Sequence, residues 1–98
     1  MRLTITTLAL GAFVLSAPAH ADNRAAAWAA VCANCHGTDG RSVGVMPTLA
    51  GLDRDYLIKQ MDDFRSGKRV ATIMHQIAKG LSDDQTAAIA TYFAGRGK

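Results

Sequence analysis

A chain of 98 residues has room for one domain. With 49% hydrophobic and 19% charged residues it is too apolar to be disordered. A net charge of +3, with no run of Lys and Arg interleaved with aromatics, gives no support to nucleic-acid binding, and two Cys exclude a multi-disulfide scaffold.

The N-terminus comes first. Arg2 is a minimal positive n-region, Leu8–Leu15 (LALGAFVL) is a short apolar run, and Ala19-His20-Ala21 has the small-x-small pattern of a signal-peptidase site. That run falls short of the about 20 residues needed to span a bilayer, and no later stretch approaches that length. Residues 1–21 are therefore expected to be a cleaved export signal rather than an uncleaved anchor, with 22–98 a single periplasmic domain. A chain of that size hides only about 60% of its unfolded surface, and often needs a staple, metal or cofactor. A disulfide between Cys32 and Cys35 would close almost no loop and stabilise little.

From Asn23 to Val31 the chain is Ala-rich, with Trp28 and Val31 at i, i+3 and Asp22 or Asn23 available as a cap. This predicts a first helix running into Cys32. Gly37–Gly51 holds four Gly, Pro47 and several Ser and Thr, and reads as a loop. Asp53 caps an expected second helix with Leu57, Met61 and Phe64 on one face and Gly67 as its stop. A short helical stretch, Thr72–Lys79, ends at Gly80. Ser82 and Gln85 form a capping box for a last helix containing Ile89, Tyr92 and Phe93. No stretch alternates as a strand would, and there is no internal repeat. The expected fold is all-α with one long loop.

Cys32-Ala33-Asn34-Cys35-His36 is C-x-x-C-H, the attachment signature of c-type haem. Two thiols one helical turn apart can form thioethers to the two vinyl groups of one porphyrin. The adjacent His then reaches an axial position on the iron. Three other readings compete. A thioredoxin-like C-x-x-C belongs near a βαβ pattern, which this chain lacks. Structural zinc needs about four ligands, and two Cys with His36 and His75 supply them only with His36 awkwardly next to Cys35. Chance is the third. Export, a small helical chain and the need for additional core all favour one covalent haem c.

The second axial ligand is open among four residues. Met usually stands opposite His in electron carriers, where it raises the potential. Met61 lies on the apolar stripe of the second helix, which suits core packing. Met46 precedes Pro47 shortly after His36, on the His side. Met74 lies between two Gly-bounded segments with freedom to approach the opposite face, although it would also serve as core beside Ile73 and Ile77. His75 next to it would give bis-His ligation. The spacing favours Met74, so the expected iron ligands are His36 and Met74. Arg65, Lys68 and Arg69 form a basic group that either faces a haem propionate or an acidic partner, or is simply a solvated helix end; the solvated end suits the helix dipole and is the preferred reading.

The chain resembles small class I cytochromes c of the c553 and c4 type. The matching pieces are CxxCHG at Cys32–Gly37, PTLAG at Pro47–Gly51, FRSGKR at Phe64–Arg69 and LSDDQ at Leu81–Gln85. A narrower likeness, through GTDGRSVG at Gly37–Gly44 and ATIMHQIAKG at Ala71–Gly80, is to the cytochrome subunit of flavocytochrome c sulfide dehydrogenase. The best-known members of that subunit family carry two haems, whereas this chain has one CxxCH and is similar to their N-terminal haem domain alone. The resemblance implies a small all-α cytochrome c fold, Met74 as axial ligand, and a hydrogen bond from His36 Nδ1–H to the Pro47 carbonyl. It also implies contact between first and last helices through Trp28 and the Tyr92-Phe93 pair.

The implied function is electron transfer by a periplasmic monohaem cytochrome. Sulfide would be oxidised at the flavin of a partner flavoprotein subunit, and this chain would pass the electrons to soluble redox proteins without being catalytic itself. A freestanding carrier is the alternative. A haem-based gas sensor with an open sixth position is the third, and Met74 argues against it.

Overall fold

The computed structural model describes residues 2–7, 9, 11–12 and 20–97. Most of the apolar run and part of the cleavage motif of the expected export signal lie outside the described residues. Among those described there are four α-helices, one 3-10 turn and no strand. Helix α1 spans His20–His36, α2 Arg54–Ser66, α3 Met74–Lys79 and α4 Asp83–Ala94, with the 3-10 turn at Thr38–Gly40.

Helix α1 is longer than the sequence pattern predicts. It begins at His20 and continues through the whole of CxxCH to His36. The run of Ala, the best helix former, favours that continuation. Helix α2 has the expected boundaries. The Asp53 carboxylate accepts from the Tyr56 backbone N–H at 3.1 Å, and Gly67 ends the helix in the left-handed region at φ 86°. Helix α4 opens on a complete capping box: Gln85 N–H donates to Ser82 Oγ at 3.1 Å and Ser82 N–H donates to Gln85 Oε1 at 2.9 Å. Helix α3 starts two residues later than expected, because Ile73 lies at φ −135° and supplies no side-chain cap. Its six residues make about one and a half turns, too few for a helix to persist without outside support.

That support is packing on α2. Helix α1 packs on α4, and α2 packs on both α3 and α4. The core is small: Ala29, Leu57, Ile89, Ala90 and Phe93, with Trp28, Cys32, Leu49, Leu52, Ile58, Leu81 and Tyr92 against it. Trp28 of the first helix and Tyr92 of the last both pack against the cluster that contains Phe93, and the Tyr92 and Phe93 rings are edge-on at 5.3 Å. Met61 and Phe64, expected on the buried stripe of α2, are only half-buried; Leu57 alone of that trio is in the core.

Phe93 also fixes the long loop. Gly40 sits at φ 80°, and a Cβ placed there would lie 2.6 Å from the Phe93 ring. The Gly40 carbonyl accepts from the N–H groups of Leu49 at 2.7 Å and Ala50 at 3.2 Å, and Gly51 N–H donates to the Phe93 carbonyl at 2.9 Å. Loop and last helix are thereby joined at Phe93 twice, through its ring and through its backbone carbonyl.

Candidate functional site

The last turn of α1 carries three of the four expected site residues. Cys32 and Cys35 fall at i, i+3, one turn apart, and both are free thiols. Cys32 is half-buried against the core and Cys35 is exposed. Burial raises the Cys32 thiol above its ordinary pKa, opposed by a backbone hydrogen bond and helped by the neighbouring Cys35.

His36 is buried, and its Nδ1 lies 2.6 Å from the Pro47 carbonyl. A carbonyl only accepts, so Nδ1 carries a proton, and in the neutral imidazole Nε2 then keeps its lone pair. Nε2 has no hydrogen-bond partner among the described residues. The carbonyl is held by the loop around it: Ser42 N–H donates to Thr48 Oγ1 at 3.1 Å, and Leu49 is bonded to Gly40. Met46 adjoins this His-side bond and is exposed.

Met74 is the first residue of α3 and is half-buried. Since α1 packs on α4 and α3 on α2, the fold puts the CxxCH segment and Met74 on different supports. His75, its neighbour, is half-buried with Nδ1 enclosed and unpartnered. Met61, on α2, is half-buried. Among the described residues no three of His, Cys, Asp and Glu converge, so the four-ligand zinc arrangement is not formed.

Two segments present large apolar side chains to the outside. Val43 and Val45 follow His36 and are fully exposed, while Val70 and Ile73 precede Met74 and are also uncovered. Apolar surface on both candidate ligand segments suits a large flat apolar group. Two thiols, an imidazole with one nitrogen free and a thioether suit an iron porphyrin attached through its vinyl groups. The residues fit haem.

Sequence reasoning missed Arg65. Its position suggests a solvated helix end, whereas its guanidinium turns inward and donates to the carbonyls of Ala78 and Leu81 and to the hydroxyl of Thr86. Arg69 instead lies 4.7 Å over the Phe64 ring and donates to Gln60, and Lys68 is exposed as expected.

The family model for cytochrome c matches residues 21–95. The chain is 46% identical over 86 residues to a cytochrome c4 of Pseudomonas aeruginosa, covering 84% of this chain and 43% of that protein. It is 40% identical over 67 residues to the cytochrome subunit of sulfide dehydrogenase of Chlorobaculum tepidum, covering 68% and 61%. It is 50% identical over 64 residues to a thiosulfate dehydrogenase electron acceptor of Stutzerimonas stutzeri, covering 63% and 30%. Among solved structures, a cytochrome c4 of Acidithiobacillus ferrooxidans superposes with a TM-score of 0.68 at 36% identity, covering 78% of this chain and 49% of that one. The chain spans about half the length of the curated relatives it matches.

Proposed function

The chain belongs to the cytochrome c family, and on that premise we propose which residues hold its haem and which partner it serves. It has the helical class I fold, and the family to which it belongs carries electrons on covalently attached haem c. When bound, the haem supplies a one-electron couple.

The chain's own residues attach and tune it. Cys32 and Cys35 would hold the haem through thioethers to its two vinyl groups, the thiol protons passing to the vinyl carbons not bonded to sulfur. His36 would offer its Nε2 lone pair to the iron. The 2.6 Å bond from its Nδ1 to Pro47 fixes the tautomer and the ring plane and makes the ligand more basic. This bond is the observation that carries the assignment. Met74 would supply a thioether ligand from α3, a donor that raises the potential. Met74→Ala should abolish the weak far-red charge-transfer band of thioether-ligated ferric haem and lower the midpoint potential. Met61→Ala should leave both unchanged. Retention of the band in Met74→Ala with its loss in Met61→Ala would reverse the assignment.

The chain is exported, cleaved after Ala21 and works in the periplasm as the haem-bearing partner of a sulfide-oxidising flavoprotein. Support comes from the likeness to the Chlorobaculum tepidum subunit, of whose length this chain accounts for more than half. Among the described residues no helix is long and apolar enough to cross a membrane. Sulfide chemistry belongs to the flavin chain, because both Cys here are consumed by the haem. A freestanding carrier is the second reading, favoured by the broad match to cytochrome c4. Stopped-flow absorbance separates them. Sulfide should reduce this haem rapidly only when a copurified flavoprotein is present, and equal rates without it would favour the freestanding carrier.

A further inference from the structure

We propose that Arg65 is a positioning residue for Met74, setting how firmly the thioether is held at the iron. The proposal rests on Met74 being the second axial ligand.

Helix α3 has six residues and no side-chain cap at Ile73, so its place is set from outside. Arg65, in the last turn of α2, reaches the other end of it. Nε donates to the Ala78 carbonyl at 3.4 Å, while Nη2 donates to the Leu81 carbonyl and to Thr86 Oγ1, each at 3.4 Å. Nη1 pairs with Asp83 at 2.8 Å and stands 3.9 Å from Asp62. One planar fork thus joins α2, the C-terminal end of α3, the turn after it and the first turns of α4.

The two carbonyls and Thr86 are the contacts that matter. Ala78 is fully buried and Thr86 nearly so, whereas Asp83 is exposed and its ion pair is screened. Ala78 lies at i+4 from Met74, on the same face of α3 and one turn away. Holding the Ala78 carbonyl fixes the rotation and height of the turn that carries the sulfur. With Arg65 removed, α3 keeps its apolar packing on α2 but loses this reference, and Met74 leaves the iron more often.

Imidazole competes for the position Met74 vacates, so its apparent affinity for the ferric holoprotein reports that departure. Arg65→Met should bind imidazole about tenfold more tightly, the scale set by losing hydrogen bonds from a charged donor. Arg65→Lys should fall between, since an ammonium reaches only part of the fork. It also carries the test should Arg65→Met not accumulate. Asp83→Asn should stay within about twofold of the unaltered protein. Ala29→Gly, which destabilises α1 far from α3, controls for general loosening, with far-UV circular dichroism melting recorded for every variant. Met74→Ala should bind imidazole most tightly, and adding Arg65→Met to it should change nothing further.

An Arg65→Met shift no larger than that of Ala29→Gly, or further tightening in the double variant, overturns the role of Arg65 and leaves Met74 as ligand. Unchanged imidazole binding in Met74→Ala overturns the ligand assignment itself.

Discussion

Cys35→Ala is expected to eliminate most of the folded, haem-bearing protein when the chain is produced in a host that matures c-type cytochromes. Intact mass spectrometry of the unaltered protein should find residues 22–98 plus one haem. The variant should yield little soluble material, and that material should melt without cooperativity. The reason lies in the size of the core. Among the described residues the buried cluster has three Leu, Ile or Phe side chains and two Ala, with Phe93 the one large side chain that is fully buried. A domain this small buries too little apolar area to offset its conformational entropy unaided. Haem held covalently, as proposed through Cys32 and Cys35, would add core and could not diffuse away. An unaltered chain with the mass of the bare polypeptide, or a Cys35→Ala variant that melts like it, contradicts this account.

Phe93→Ala is expected to destabilise the holoprotein by about 3–5 kcal/mol, the usual cost of truncating a buried aromatic. Small domains have only about 5–15 kcal/mol in total, so the variant should approach the unfolding threshold at ambient temperature. The opposite change at the same contact is Gly40→Ala. Its new methyl would meet the Phe93 ring at 2.6 Å from a backbone at φ 80°, adding overpacking to left-handed strain. Combining the two should cost less than the sum of the single effects, since an absent ring leaves room for the methyl while the backbone strain remains. Urea unfolding followed by circular dichroism measures all three. Strict additivity would mean that ring and glycine do not meet.

Much of the fold is legible because the signals are local. The Asp53 cap, the Gly67 stop and the Ser82–Gln85 box each act within a few residues, and each lies where the pattern places it. The ends of α1 and α3 were less legible. Nothing near Val31 says that the helix continues through Cys35 to His36, and Ile73 gives no local sign that it stays outside α3. CxxCH is legible as chemistry because its spacing is one helical turn. Arg65 was not, since its hydrogen-bond partners lie 13 to 21 residues away and a basic residue at a helix end has an adequate local explanation. The Gly40–Phe93 contact was hidden for the same reason of separation.

Arg41, just beyond the 3-10 turn, donates from Nε to the Gly97 carbonyl at 2.7 Å. The tail after α4 is therefore a strap across the base of the loop whose Pro47 carbonyl steers the imidazole. Trimming that segment, or fusing a bulky tag to it, should pull on the loop that orients the imidazole proposed as an axial ligand. In protein engineering terms the segment after α4 is a handle on the proposed haem site, and a label placed there is not mechanically neutral.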